Sequence, residues 1–189
     1  MATDQALRLT PQEYLAFERR AGAKHEYADG ELREMVGASL PHNLIACRIS
    51  SLLDRDLAGR PFLVCQSDLR VRVPGGPYYY PDVVVAPSPP RLEDEEADTL
   101  LDPLVIAEVL SPSTEEYDRG EKLDGYRRIP SLTDYLLVSQ DRVRVDHYRR
   151  SGTEWTLRIV TGRTASIPFP ELGCELALVR VYENVPAAG

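Results

Sequence analysis

The hydrophobic and polar positions of the chain switch between helical and strand-like spacing, which predicts mixed α and β structure. Over residues 41–57 apolar side chains recur every three or four positions, as on one face of a helix, and Ser39 is suited to cap it. Thr10 and Glu13 have the spacing of a capping box, and proline follows Thr10. A shorter helix is therefore predicted from this point to about Arg20.

Strand-like runs dominate the rest of the chain. The dipeptide Asp29-Gly30 predicts a hairpin over 25–32. Apolar runs and alternation predict strands over 62–65, 68–73, 78–86, 104–110, 133–139, 143–149 and 155–160. A helix is predicted over 113–129, with Ser113 and Glu116 at capping-box spacing, and the acidic, proline-rich stretch 87–102 is predicted to be an exposed loop.

Several strands with two or three helices between them predict a mixed α/β or α+β fold. With 189 residues, 43% hydrophobic and 28% charged, the chain has the size and composition of a single globular domain. We expect one domain over residues 1–189, with an ordered core at about 10–182.

Charge and cysteine content narrow the class of protein. The net charge of −8, from 22 basic and 30 acidic residues, argues against non-specific coating of nucleic acid but leaves room for a local basic groove. The sequence shows neither a secretory signal nor an apolar run long enough to cross a bilayer. Its three cysteines form no CxxC pair. We therefore expect a cytoplasmic protein with free thiols.

Two carboxylates occupy unusual positions in predicted strands. Asp82 follows Pro81, and proline within sheets is confined to strand edges, strand starts and bulges. Asp82 therefore either lies at a bulge that redirects its side chain or simply begins a surface strand. Glu108 lies within the most apolar run of the chain. A buried carboxylate needs a partner, a metal ion or solvent, so Glu108 belongs either to a functional site or to a structural ion pair.

Lys122 is a third candidate. On a regular helix it shares a face with Tyr126 and Ile129, so it points toward the sheet and either reaches Glu108 or extends its ammonium to water. Two carboxylates at strand ends can hold Mg²⁺, which activates water and stabilises a phosphodiester transition state, and a lysine can orient that water or neutralise charge. The three residues together predict a site for hydrolysis of a nucleic-acid backbone.

The motifs YYPDVVV (79–85), EVLSPST (108–114) and YDRGEKLDGY (117–126) resemble the Uma-type "putative restriction endonuclease" family of the PD-(D/E)XK nuclease superfamily. HEYADGEL (25–32), SLPHN (39–43) and SDLRV (67–71) are also similar to it. The resemblance covers roughly residues 10–182. It implies a restriction-endonuclease-like core, with a central mixed sheet flanked by helices, and Mg²⁺-dependent nuclease chemistry in which Asp82 is the first acid and Glu108 the second.

One position departs from the superfamily pattern. Its lysine normally lies two residues after the second acid, where this chain has Leu110. The resemblance implies that Lys122, on the following helix, is a relocated substitute.

Further residues are supporting candidates. Glu26, beside the hairpin turn, either completes the acidic site or faces solvent, and His42 lies near a helix start, where an exposed or capping role is favoured. Tyr126 shares the helical face of Lys122. Arginines that alternate along strands either line a DNA-facing surface or are ordinary outward positions, which is the favoured interpretation: Arg70, Arg72, Arg142 and Arg144.

The predicted function is a divalent-metal-dependent endonuclease that uses Mg²⁺ or Mn²⁺ and acts on DNA. Two alternatives stay open: a catalytically inactive nuclease-fold binding or interaction module, and a small-molecule phosphodiesterase. Cutting both strands of a duplex with one site per chain would favour a two-fold homodimer.

Overall fold

The computed structural model describes residues 8–186, which form two larger β-sheets, a two-stranded sheet and flanking helices. The strands are β1 His25–Ala28, β2 Glu31–Glu34, β3 Phe62–Gln66, β4 Arg70–Arg72, β5 Tyr78–Tyr79, β6 Val83–Pro87, β7 Thr99–Leu100, β8 Val105–Leu110, β9 Asp134–Ser139, β10 Arg144–Ser151, β11 Glu154–Thr161, β12 Ser166–Phe169 and β13 Cys174–Ala177. The helices are α1 Pro11–Glu18, α2 Leu40–Leu57, α3 Glu115–Tyr117, α4 Leu123–Tyr126 and α5 Leu178–Val181, with a π-helical segment Asp118–Lys122 between α3 and α4.

Local sequence signals account for the first three elements. Thr10 caps α1, and the reciprocal bonds of the capping box with Glu13 are both present. The β1–β2 hairpin turns at Asp29 and Gly30, which both have positive φ angles, as the predicted Asp-Gly turn requires. The Ser39 side chain caps α2, so both predicted helix starts and the hairpin are confirmed.

The six-stranded sheet is the centre of the molecule. Its order is β11-β10-β9-β8-β6-β3, and only the β8–β9 pair is parallel. Every residue of β8 is buried, as its apolar run predicts, because both faces of the sheet are covered. One face packs against α2, α5 and the β12–β13 hairpin, and the other packs against the helical segment 115–126 and the five-stranded sheet. Sequence patterning did not predict β12, β13 or α5.

The predicted strand over 78–86 is wrong, because the chain changes sheets within it. Residues 78–79 form β5 in the five-stranded sheet β2-β1-β5-β4-β7, whereas residues 83–87 form β6 in the six-stranded sheet. Pro81 lies in the three-residue crossover between them. Proline offers no N–H to a ladder, so the crossover is where this sequence tolerates it.

Three other predictions need correction. The helix predicted over 113–129 is broken into α3, the π-helical segment and α4, and its first turn has Thr114 as cap residue without a side-chain cap bond. The stretch 87–102 is not wholly exposed, because Thr99 and Leu100 are buried in β7. Arg70 is not an outward position either: it is 3% exposed and paired with Asp98.

Asp98 joins two parts of the structure that are distant in sequence. Arg19, after α1, donates to both of its carboxylate oxygens at 2.9 and 3.0 Å, and Arg70 of β4 contacts it from the other side. The hydrogen bonds from Arg19, reinforced by Arg70, lower the pKa of Asp98 despite its partial burial. A carboxyl with a lowered folded-state pKa stabilises the fold above its unfolded pKa and loses that contribution as the pH falls.

We therefore expect Asp98→Asn to lower the urea midpoint of unfolding at pH 7 and the difference from wild type to narrow below about pH 4. Urea titrations from pH 7 to pH 3 measure this. Asp68→Asn is the matched control, because Asp68 pairs with Lys24 through a highly exposed side chain and such pairs contribute little. A destabilisation independent of pH would rule out the charged Asp98 carboxylate as its cause.

The helices and the cysteines of the described residues bear on two of the expectations from sequence. Within residues 8–186, no helix is both long and apolar enough to cross a membrane. Cys47, Cys65 and Cys174 all have free thiols.

Candidate active site

The pairing of β6 with β8 brings the two anomalous carboxylates together. Val83 lies opposite Ala107, so extending the antiparallel register by one residue places Asp82 opposite Glu108. Opposite residues of an antiparallel pair project from the same face of a sheet. Asp82 and Glu108 therefore share the face that is covered by the helical segment 115–126.

Backbone hydrogen bonds fix both carboxylates. The Asp82 N–H donates to Glu108 Oε2 at 3.3 Å, and the Val109 N–H donates to Asp82 Oδ2 at 2.8 Å. Each carboxylate therefore accepts a hydrogen bond from the backbone of the other segment, Asp82 from β8 and Glu108 from the crossover before β6. The two reciprocal bonds orient both carboxylates.

Lys122 reaches this pair from the helical side. Its side chain is 6% exposed, and its Nζ lies 3.1 Å from Glu108 Oε1, 2.8 Å from Glu26 Oε1 and 3.4 Å from Asp118 Oδ1. The π-helical segment ends at Lys122 and begins at Asp118, so both side chains face the sheet. π-helical turns inside helices are frequent at functional sites.

Glu26 and Tyr126 complete the buried cluster. The Tyr126 hydroxyl donates to Glu108 Oε1 at 3.1 Å. Glu26 accepts a hydrogen bond from the Tyr80 N–H at 3.0 Å, which ties β1 to the crossover before Asp82. Glu26 thus does not face solvent, and it contributes a second carboxylate to the ammonium of Lys122.

Negative charge exceeds positive charge in this cluster. Glu26, Glu108 and Asp118 contact one lysine, and Asp82 lies beside Glu108. Burial raises the pKa of Glu108 well above its usual value, the neighbouring carboxylates add to this, and Lys122 opposes it. Burial likewise raises the pKa of Asp118. The pKa of Lys122 lies above its usual value because the carboxylates outweigh its burial, so the ammonium stays charged.

His42 contacts the site from the first turn of α2. Its Nε2 lies 3.1 Å from Asp82 Oδ2, and its side chain is half-buried rather than free in solvent. Its other ring nitrogen, Nδ1, is buried without a hydrogen-bond partner in the described structure. The exposed or capping role favoured from the sequence is therefore wrong, since the ring is turned toward Asp82.

A cavity of about 540 Å³ gives solvent and ligands access to these groups. Asp82, Glu108 and Lys122 all line it, together with hydroxyl groups of the β8–α3 loop such as Ser111 and Thr114. The sequence analysis missed Asp118. The only available signal was its position one turn before Lys122, where acidic residues are common on solvated helix faces.

Leu110 occupies the position at which the superfamily pattern has lysine. It lies two residues after Glu108 in β8 and so projects from the same face. Its side chain is buried in the apolar cluster that also contains Tyr117 and Leu137. The cation therefore comes from the helical segment, and the strand position is used for packing.

The donor set fits a hard divalent cation. Within residues 8–186, no group of three or more His, Cys, Asp or Glu side chains is arranged to hold a metal ion. Mg²⁺ needs less than that, because proteins commonly hold it through one or two carboxylates with water as the remaining ligands. Asp82 and Glu108 supply two carboxylates at one cavity, and the excess negative charge around them favours a cation.

Comparison with known proteins identifies the family of this chain. The model of the Uma2 family, described as "Putative restriction endonuclease", matches residues 11–179. The chain belongs to the Uma2 family. The match includes every element that contributes to the site, from β1 to α4.

Two similar proteins occur in Synechocystis sp. (strain ATCC 27184 / PCC 6803 / Kazusa). The uncharacterized protein slr1290 is 41% identical over 179 residues, covering 94% of this chain and 93% of its own. The uncharacterized protein sll1609 is 37% identical over 163 residues, covering 85% of this chain and 92% of its own.

A solved structure shares the fold. The crystal structure of a "putative nuclease belonging to DUF820" from Anabaena variabilis ATCC 29413 superposes with a TM-score of 0.76 at 18% identity, covering 92% of this chain and 97% of that chain. The expected restriction-endonuclease-like fold is thereby confirmed. Uma2 family membership together with this fold supports a nuclease-type enzyme.

Proposed function

We propose that this Uma2 protein is a divalent-metal-dependent endonuclease that hydrolyses phosphodiester bonds of DNA. The observation that carries the proposal is the joining of Asp82, Glu108 and Lys122 at one cavity, with more negative charge than the lysine balances. A purely structural ion pair does not need surplus acids, because each uncompensated buried charge is costly. A cation bound between the acids would offset that cost.

The roles follow from position. Asp82 and Glu108 would hold Mg²⁺ or Mn²⁺, which when bound activates water and stabilises the charge of the phosphodiester transition state. Lys122 places a charged ammonium 3.1 Å from Glu108, where it orients the nucleophile or neutralises developing negative charge. Glu26 and Asp118 hold that ammonium in place, and Tyr126 fixes the Glu108 carboxylate.

His42 is assigned a positioning role. Its Nε2 contact with Asp82 Oδ2 leaves the other Asp82 oxygen for a cation. The Val109 N–H holds the same Oδ2 atom. The two contacts together restrict rotation of the Asp82 carboxylate.

A nicking assay on supercoiled plasmid tests the proposal. Wild-type protein is incubated with Mg²⁺ or Mn²⁺, with EDTA in a parallel reaction, and Glu108→Gln protein purified identically reports contaminating nucleases. We expect open-circular or linear DNA only with wild-type protein and metal. Linear product from single encounters would further support a homodimer, because symmetry brings two sites to two strands.

The same preparation separates the alternative functions. Calorimetric titration with Mn²⁺ that requires both Asp82 and Glu108, without cleavage of any nucleic acid, would favour a non-catalytic module. Hydrolysis of bis(p-nitrophenyl) phosphate without DNA cleavage would favour a small-molecule phosphodiesterase. Absence of both metal binding and cleavage would overturn the proposal.

A further inference from the structure

A second, larger cavity lies next to the candidate active site. Its volume is about 860 Å³, and it is lined on one side by the β1–β2 hairpin and on the other by the helical segment around Tyr117 and Gly125. The two cavities share Glu26, Arg33 and Tyr117 as lining residues. A ligand that extends from one cavity into the other therefore passes over these side chains.

Arg33 and Tyr117 form a stacked ridge at this boundary. The Arg33 guanidinium carbon lies 3.8 Å from the centroid of the Tyr117 ring. Tyr117 also lies beneath the catalytic cluster, with its ring 5.7 Å from Lys122 Nζ. The Tyr117 ring thus lies between Arg33 and the Lys122 ammonium, which contacts Glu108.

The guanidinium of Arg33 has no acidic partner in residues 8–186, although one is close in register. Glu26 is directly opposite Arg33 in the hairpin. Its carboxylate is instead engaged by Lys122 at 2.8 Å and by the Tyr80 N–H. Stacking on Tyr117 orients the guanidinium plane but uses none of its N–H donors, and Arg33 is exposed to solvent.

The larger cavity does not resemble a surface for a whole duplex. Its acids outnumber its arginines: Glu26, Asp29, Glu31, Glu121 and Asp124 line it together with Arg8, Arg33 and Arg128. A duplex carries a dense row of phosphates, which these acids would repel. Leu32, which is 37% exposed, adds an apolar surface to the wall, and the acids can accept hydrogen bonds from the amino groups of an unpaired base.

We propose that the ridge of Arg33 on Tyr117 binds one phosphate of a single DNA strand adjacent to the cleaved phosphodiester, and that the larger cavity receives the unpaired nucleotide beyond it. Arg33 is suited to the phosphate because its planar fork donates two parallel hydrogen bonds to phosphate oxygens. A volume of about 860 Å³ lies within the range of small-molecule pockets and holds one nucleotide. The inference rests on the proposed nuclease function and specifies its substrate as unpaired DNA.

Binding and cleavage of a fluorescein-labelled 12-nucleotide single-stranded DNA test this assignment. DNA binding is measured by fluorescence anisotropy in a Glu108→Gln background, so that the DNA is not cleaved during the titration. KM and kcat are measured with variants that retain Glu108. We expect Arg33→Ala to weaken binding and raise KM about ten-fold with little change in kcat. The magnitude of the slope of log affinity against log salt concentration should decrease by about one, as expected for the loss of one phosphate contact.

Matched variants separate the stack from general charge. Arg158→Ala removes an exposed arginine on β11, away from both cavities, and should change neither binding nor KM. Arg33→Lys keeps the charge without the fork and should give an intermediate effect. Tyr117→Leu removes the ring that orients the guanidinium and should weaken DNA binding, whereas Tyr117→Phe keeps a ring and should retain more binding than Tyr117→Leu.

The outcomes distinguish this inference from the nuclease proposal. If Arg33→Ala protein cleaves DNA with the same KM and kcat as Arg158→Ala protein, the proposed role of the Arg33–Tyr117 ridge is wrong, while the proposed nuclease function is unaffected. Arg33-dependent DNA binding without cleavage by wild-type protein would support the ridge while the nuclease proposal fails. Equal affinity for the 12-mer and its duplex, or no binding of the 12-mer, would overturn the unpaired-nucleotide site.

Discussion

Glu108→Gln and Asp82→Asn are each expected to lower metal-dependent DNA cleavage by at least about a thousand-fold while the protein stays folded. Both changes keep the side-chain volume and the ability to accept a backbone N–H, but they remove the charge that a divalent cation requires. The Glu108→Gln protein should also bind Mn²⁺ more weakly than wild type, as measured by calorimetry. Plasmid nicking rates and Mn²⁺ titrations give the two readouts.

Stability in the absence of metal gives an independent check on Glu108. Its carboxylate adds to an existing surplus of buried negative charge. Glu108→Gln should therefore leave the unfolding midpoint unchanged or raise it. Glu116→Gln and Asp54→Asn are matched controls on exposed helix positions and should cleave as wild type. Full cleavage by either folded site variant would remove that acid from the site.

Lys122→Met is expected to lower cleavage by about two to three orders of magnitude, the scale for losing one electrostatic contributor to a transition state. Methionine keeps most of the stem but removes the ammonium that faces Glu108 at 3.1 Å. Metal binding should survive or tighten slightly, because a nearby positive charge is gone. Single-turnover cleavage and Mn²⁺ calorimetry measure the two effects separately.

The fold of this variant needs its own control. Glu26, Glu108 and Asp118 all contact the ammonium, so its loss leaves buried acids without their cation. Adding Asp118→Asn removes one of these charges and should restore stability without restoring cleavage. Leu110→Lys in the Lys122→Met background should recover part of the activity, since residue 110 projects from the same sheet face. A folded Lys122→Met protein that cleaves at the wild-type rate would exclude the lysine from the mechanism.

Local signals were enough to predict much of the fold and to single out Asp82, Glu108 and Lys122, which the structure brings to one cavity. The Thr10 cap, the Asp29-Gly30 turn and the apolar run of β8 act over a few residues, so their structures are encoded where they occur. Glu108 was identifiable for a related reason. A carboxylate within a buried strand is costly unless something compensates it, and this conflict is visible in a short segment.

The remaining features depend on contacts between distant parts of the chain. The division of 78–86 into two strands follows from the pairing of β5 with β1 and β4, while β6 pairs with β3 and β8. The π-helical break was likewise invisible, because a regular helix already places Lys122 near the apolar face. Asp118 and the orientation of His42 could not be predicted, since both depend on which groups lie across the cavity.

The separation of the cation from the strand also has a consequence for how such sites evolve. In this chain the position two residues after Glu108 carries an apolar side chain that packs with Tyr117 and Leu137, while the charge comes from Lys122. Residue 110 therefore does not need to carry a charge, and only its volume and its apolar character are constrained. Among homologues that share this arrangement, residue 110 should drift among leucine, isoleucine, valine and methionine, whereas residue 122 stays lysine. A pattern search that requires an acid and a lysine two residues apart will pass over every such descendant.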